Sequence, residues 1–315
     1  MATTVESTQV SPPTLQLHEG ERFLEALQRK AKLLYPSVRK TVDRFPDDCY
    51  WLLDPLARWT NEAFGEEAFE LSAKGYARFA IEVNKLQKGY EDSGVFFSGT
   101  HDSVMQEVYE NPEYMIPYMW AAILIYPYWP SMVRHIAFLR DNFVKMLPTG
   151  GAILELACGH GALGLIAIEE RNDLQVDGVD LSPAAIGIAE RLRAVSGHAA
   201  NSTLTVMDAL DLQQAGEPGR YQGVLAAMLA EHLHEPQRLF RTIAHHLSSE
   251  GICFFSTAIE SAQKDHVFEF RTEAQVMTMA AEAGLRVCEL ISDGPRRPGA
   301  KYRPRALAAI LEHRN

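Results

Sequence analysis

Apolar positions along the chain change their period near residue 147. Before that point they recur at helical spacing. Residues 19–35 set Phe23, Leu24, Leu27, Ala31 and Leu34 on one face, an amphipathic helix that Pro36 is expected to end. Residues 66–90 repeat the pattern with Phe69, Tyr76, Phe79, Val83 and Leu86, and residues 130–147 carry Val133, Ile136, Phe143 and Leu147. No strong alternating pattern occurs before Gly151. Beyond it, short apolar runs at 153–156, 176–181, 204–209, 223–227 and 252–257 alternate with helical stretches, the signature of an α/β sheet. Residues 114–130 are almost wholly apolar or aromatic, but Pro117, Pro127 and Pro130 interrupt them. The nine residues between the first two prolines fall short of the about 20 that a membrane-spanning helix needs. The expected organisation is a disordered tail over 1–18, a helical cap or substrate-binding domain over 19–147, and a sheet domain over 148–315.

Candidate chemistry gathers where the strands end. Ile153-Leu154-Glu155-Leu156-Ala157-Cys158-Gly159-His160-Gly161 is an apolar run with an acid near its end, then a glycine-rich turn leading into Leu163, Ile166 and Ile168. A strand, tight loop and helix start is where an α/β domain holds a nucleotide-like ligand. Gly159 and Gly161 let the backbone approach that ligand, since neither has a Cβ in the way. With Gly164 they also satisfy the dinucleotide fingerprint. Glu155 separates the two readings. A dinucleotide-binding first strand is apolar up to its glycines, whereas a carboxylate four residues before Gly159 can face a cationic ligand such as S-adenosylmethionine, with its ammonium and sulfonium. Asp180 closes the second run, where it can accept from ribose hydroxyls of either cofactor, and Ser182, Pro183 and Gly197 read as the cap, first residue and stop of the next helix. Asp208 closes the third run, placed to accept from an adenine amino group.

These residues together resemble the class I S-adenosylmethionine-dependent methyltransferases, over roughly residue 146 to the C-terminus. The resemblance implies a Rossmann-like sheet joined to an N-terminal α-helical cap, with S-adenosylmethionine as cofactor. It assigns cofactor contacts to Glu155, Ala157, Gly159, Gly161, Asp180, Leu181, Asp208, Ala209 and Met228. Glu231-His232 followed by Pro236 is similar to a Glu-His…Pro segment of the small-molecule branch, and Leu247-Ser248-Ser249-Glu250-Gly251 is similar to a turn before the fifth strand. Two positions depart from the pattern: Ala157 stands for the first glycine of the loop, and Met228 stands where relatives often carry a polar residue.

Composition narrows the setting. A net charge of −11 and a pI near 5.5 argue against a broad nucleic-acid or anionic-membrane footprint. No Asn-Pro-Pro-Tyr, Asp-Pro-Pro-Tyr or Pro-Cys motif of nucleic-acid methyltransferases occurs after the fourth run. Cys49, Cys158, Cys253 and Cys288 are scattered, as expected of thiols in a reducing cytoplasm, and the start of the chain lacks the basic and apolar regions of a signal peptide. A homodimer is compatible with this reading.

All four tryptophans and nine of the eleven tyrosines fall before residue 147, which suits helix packing or, for the dense group around Tyr109 to Trp129, a pocket wall. Tyr90, Tyr114 and Trp120 are the expected substrate contacts, and Tyr118 with His232 the candidate catalytic pair. His232 lies just beyond the fourth strand, where an imidazole can take a proton near neutral pH or simply anchor the loop. The spacing His232-x-His234 invites a metal, but Glu231-His232 is frequent in metal-free relatives, so no metal is expected. His101 and His266, beside Asp265, are weaker pocket candidates, and His160 lies in the cofactor loop with a side chain that is free to point to solvent. The basic run Arg296, Arg297, Lys301, Arg303 and Arg305 reads as a solvated connection or a clamp for a substrate carboxylate. The expected activity is methyl transfer to a small metabolite. The cap-plus-sheet layout and the segment Asp265-His266-Val267-Phe268 are similar to methyltransferases of bacterial specialised metabolism, which implies the β-carbon of a 2-oxo acid as one acceptor, and O- or N-methylation of another molecule is the alternative. An NAD-dependent oxidoreductase and a catalytically silent cofactor-binding partner are the readings of other classes.

Overall fold

The computed structural model describes residues 18–96, 104–214, 216–295, 299 and 301–314. The expected tail lies outside them save His18, as do His101, Arg296 and Arg297. Among the described residues seven strands form one sheet: β1 (Ala152–Leu156), β2 (Gln175–Asp180), β3 (Ser202–Val206), β4 (Tyr221–Ala227), β5 (Leu247–Ile259), β6 (Leu285–Asp293) and β7 (Arg305–His313). Their order is β3-β2-β1-β4-β5-β7-β6. The first five pair in parallel, while β7 runs antiparallel between β5 and β6. Helices cover both faces, so the central strands read as nearly unbroken apolar runs; in β7 every residue from Ala306 to Leu311 is buried.

Among the described residues six α-helices precede the sheet: α1 (Glu21–Lys30), α2 (Tyr35–Arg44), α3 (Pro46–Phe64), α4 (Glu67–Ser93), α5 (Pro112–Tyr128) and α6 (Pro130–Asn142). Four more follow the strands: α7 (Ala162–Glu170), α8 (Pro183–Ser196), α9 (Pro236–His246) and α10 (Glu273–Glu282). The first-half helices share one apolar core with α7, α8 and one sheet face, running from Phe23 through Leu56 and Ile166 to Phe254 and Ile310. A second core of Leu154, Val224, Phe240, Phe255 and Leu307 fills the other face, beneath α9 and α10.

Several expectations are corrected by this arrangement. Pro36 ends no long helix; α1 stops at Lys30, and Pro36 occupies the first turn of α2, where its missing N–H costs nothing. The apolar stretch expected to break at Pro117 and Pro127 is one helix, α5, capped by the Asn111 side chain on Glu113 N–H. At Pro117 the helix packs tightly on α4: the Pro117 carbonyl lies so close to Gly75 that a Cβ there would approach to 2.5 Å. No helix among the described residues is long and apolar enough to cross a membrane. The segment 247–251 is strand from its first residue, with a register shift against β4 between Tyr221 and Gly223. Arg305 belongs to β7 rather than to the connection before it.

Candidate active site

The C-terminal ends of β1, β2 and β4 and the inner faces of α4 and α5 enclose a cavity of about 450 Å³, within the range of small-molecule sites. On its sheet side the loop after β1 makes a tight turn. Ala157 has φ 55°, Gly159 56° and Gly161 66°. Ala157 therefore holds the left-handed conformation that suits a glycine, at a cost of about 1 kcal/mol. Asp180 stiffens the turn, accepting from Gly159 N–H and from Ser182 N–H, each at 2.8 Å. Asp208 lies two residues beyond β3 and accepts from Leu210 N–H at 2.8 Å. Ser182 caps α8 through Ala185 N–H, and Gly197 closes that helix with φ 82°.

Glu155, Ala157, Gly159, Asp180, Leu181, Asp208, Ala209 and Met228 all line the cavity, as do Tyr118 and His232. Met228 turns the chain at the end of β4 with φ 51°, its N–H held by Ser256. Gly161 is placed otherwise: it starts α7, and a Cβ there would press on Ala189 of α8. Three expected substrate contacts also lie off the wall. Trp120 is buried edge-on against Phe64, 5.6 Å between ring centres. Tyr114 stacks behind Tyr118 at 5.9 Å, with Arg78 and Lys264 over its ring. The Tyr90 hydroxyl donates to Glu269, and its ring packs on Tyr302. Each aromatic side chain is used for packing between elements, which spacing alone does not distinguish from facing a pocket.

Glu155 is the electrostatic centre of the sheet side. It is buried, one of its oxygens has no hydrogen-bond partner, and burial pushes its carboxyl up to about 8 despite the nearby Gly164 N–H; Asp180 adds to the rise. Asp180 is also raised by burial. The unpaired oxygen packs against Gly164 of α7, while Glu155 itself lines the base of the cavity, where a buried acid favours a cationic ligand. An ammonium and sulfonium ligand meets that demand, and Asp180 and Asp208 line the same cavity. His160 does not point to solvent. It is buried in the turn, its Nδ1 accepting from Ala162 N–H at 3.0 Å, and burial holds it down to about 4.

The opposite side is built by the turn after β4 and the loop after β5. Glu231 is fully buried; it accepts from Thr257 Oγ1 at 2.6 Å and Ala258 N–H at 3.2 Å, while its carbonyl accepts from Val267 and Phe268 N–H. His232 donates from Nδ1 to the Asp265 carbonyl at 3.0 Å, with the Asp265 carboxylate at 3.4 Å. His266 donates from Nδ1 to the Ser261 carbonyl at 2.8 Å. Both rings form part of the wall, 5.0 Å apart and edge to face, and each keeps Nε2 for a ligand. Burial, reinforced by His232, lowers His266, which stays neutral. Burial alone would raise Asp265, but a positive charge on His232 and the Tyr118 phenol oppose it, and the net direction is down. Tyr118 is pushed well above its usual range by burial and by Asp265, so its phenol remains a proton donor. Glu231, His232 and His266 bring ligand atoms within 4.8 Å of one another, a spacing open to an ion. The protein's own bonds already account for both Glu231 oxygens and for each Nδ1. Sequence reasoning missed Asp265 as a partner of His232, and gave His266 only its adjacency to that acid.

The Methyltransf_23 family, described as a methyltransferase domain, matches residues 130–315, more than half of the chain. The chain belongs to this methyltransferase family. Its sheet order, with β7 antiparallel between β5 and β6, is that of a class I enzyme, and the methyltransferase uses S-adenosylmethionine as methyl donor. Among curated proteins it is similar to a ubiquinone biosynthesis O-methyltransferase of Nitrosospira multiformis, 28% identical over 175 residues that cover 49% of this chain and 68% of that protein. The corresponding protein of Paraburkholderia xenovorans is 32% identical over 111 residues, 35% of this chain and 45% of its own. Among solved structures, the 4+2 cyclase SpnF superposes with a TM-score of 0.50 at 14% identity, covering 59% of this chain and 83% of that one. That likeness concerns fold alone, since one fold carries different reactions.

Proposed function

We propose that this enzyme methylates a hydroxyl oxygen on a flat, mostly apolar small molecule. The observation that carries the reading is the pair of imidazoles, His232 and His266, each offering Nε2 on a wall otherwise formed by Phe79, Met115, Tyr118, Ile125 and Val267. Among the described lining residues the one permanent cation is Arg238, at the start of α9, whose neighbour is the turn following Asp208. A 2-oxo acid methylated at its β-carbon would bring a carboxylate to the imidazole side, where no described lysine or arginine lines the cavity to receive it. The relatives named O-methyltransferases support the same choice of acceptor atom.

The bound cofactor supplies a methyl group already activated on sulfur, so the protein's tasks are alignment, exclusion of water and removal of one proton. The acceptor hydroxyl donates to His232 Nε2, and His232 takes the proton as the oxygen bonds to the methyl carbon. When bound, the cofactor would keep the electron pair of the broken carbon–sulfur bond on sulfur, which balances the proton taken by His232. Asp265 steadies the imidazolium, and His266 accepts a second hydrogen bond or a neighbouring donor. Tyr118 holds Asp265 from the other side.

The test is transfer of a labelled methyl group to a panel of phenols, 2-oxo acids and amines, followed by single-turnover kinetics of His232→Asn at saturating cofactor. Methylation of a phenol oxygen, with a loss of about 10²–10⁴-fold in the chemical step and unchanged melting, is the expected result. Carbon methylation of a 2-oxo acid in place of phenols would replace this reading, and near-normal transfer by His232→Asn would reduce His232 to an anchor.

A further inference from the structure

The loop from β5 to α10 is gripped from outside the sheet. Glu260, the first residue after β5, has φ 50°, a left-handed conformation rare outside glycine and held only where its surroundings enforce it. Its N–H donates to the Phe270 carbonyl at 2.7 Å, which closes the base of the loop. Gln87, buried on α4, reaches that base. Its Oε1 accepts from Ala262 N–H at 2.9 Å, and its Nε2 donates to the Glu260 carbonyl and to Glu91 Oε1, each at 3.1 Å. The orientation of this carboxamide has one solution. Only the oxygen can face an N–H, and only the amide nitrogen can face a carbonyl and a carboxylate. Between the two gripped residues lies Ser261, whose carbonyl receives His266 Nδ1–H.

We propose that Gln87 is a positioning residue for the acceptor site. By holding the backbone on either side of Ser261, it fixes the carbonyl that sets the tautomer and ring orientation of His266. The imidazole is thereby kept as the Nδ1–H form, with the Nε2 lone pair on the cavity wall. A backbone carbonyl fixing which ring nitrogen carries the proton is a general means of orienting a functional histidine. The same grip ties α4, which brings Phe79 to the wall, to the loop that brings Gln263, His266 and Val267. Helix and loop therefore shape the acceptor side together, while the turn after β1 is untouched. The consequence for methyl transfer rests on the reading that the acceptor oxygen meets the imidazole pair; the grip on His266 does not.

The experiment uses the full-length chain with S-adenosylmethionine as the probe. Imidazole nitrogen resonances report which ring nitrogen is protonated, without any acceptor. In the parent, His266 should show a single Nδ1–H tautomer. In Gln87→Met, close in length but unable to bond either peptide, the two nitrogens should shift toward averaged values while the affinity for S-adenosylmethionine stays within twofold. Transfer to the best phenol of the panel should then fall about tenfold. If Gln87→Met does not fold, Gln87→Asn, one methylene too short to span both peptides, should give the same spectral change. A folded variant whose His266 resonances match the parent would overturn the proposal, as would a tautomer change accompanied by an equal loss of cofactor affinity. If the parent methylates no phenol, the proposed function fails, while the resonances still decide the role of Gln87.

Discussion

Cofactor binding should release a proton, and Glu155 is the reason. Without a ligand, burial raises its carboxyl from 4.5 to about 8, so that roughly nine in ten molecules carry it protonated at pH 7. A ligand bearing an ammonium and a sulfonium favours the carboxylate, and the proton must leave for the full attraction to form. Below pH 8 the affinity should therefore climb by up to about tenfold per pH unit, flattening above it. Calorimetry at pH 6.5 in buffers of different ionisation enthalpy counts the protons, and about one per cofactor is expected. Asp180, also raised by burial and close enough to couple, shares the titration, so the count belongs to the pair. Glu155→Gln should bind more weakly above pH 8, lose most of the proton release, and show little pH slope. Folding supplies a second reading of the same carboxyl. Its folded value exceeds the unfolded one, so its contribution to stability is full below about 4.5 and is lost as pH rises through 8. The Gln variant should be less sensitive to pH across that window and more stable at its upper end. A parent that releases no proton at pH 6.5, or a variant that releases as many, would refute the assignment of Glu155 to the cationic end of the cofactor.

Other substitutions probe other parts. Asp180→Ala removes an acceptor from Gly159 and Ser182 N–H, and from the ribose expected there; calorimetry should show cofactor affinity reduced by about 3 kcal/mol or more, at about 1.5–3 per charged hydrogen bond. Trp120→Ala opens the core between α5 and α3, so denaturant titration should find a loss of about 3–5 kcal/mol, with cofactor affinity in the folded fraction preserved. Arg305 bridges Glu273 at 2.6 Å and Glu260 at 2.9 Å from a largely buried position, and Arg305→Met should lower stability by about 3 kcal/mol in the same titration. Ala157→Gly should relieve the left-handed backbone, offset by the greater freedom of unfolded glycine, so its net change should stay within about 1 kcal/mol.

The sheet half was legible because its signals are local. Glu155, Asp180 and Asp208 each stand at or near a strand end, and period and turn chemistry carry that information along the chain. Ser182 and Gly197 bound α8 for the same reason. The helical half was read less well. Its apolar faces say that helices form, but not that α2 and α3 follow α1, nor that α5 runs on through Pro117 with Gly75 of α4 against its carbonyl. Trp120 and Tyr109 look alike as aromatic residues, yet one faces Phe64 and the other the cavity. That difference arises from which helix lies opposite, a property of the assembled packing. His266 stood only as a weaker candidate for a related reason: its placement depends on Ser261 and on Gln87, 179 residues earlier.

The core shared by the helices and one sheet face also sets the order in which the chain can be finished. Phe23 and Leu24 belong to the same apolar cluster as Ala306, Ala308 and Ile310 of β7, close to three hundred positions later. During synthesis the helices leave the ribosome first and wait with part of their apolar surface uncovered. The strand that completes the sheet does not add to its edge; it must enter between β5 and β6, where its pairing is long-range by necessity. A nascent chain of this enzyme therefore stays open to chaperones, and to mispairing, until β7 has been made.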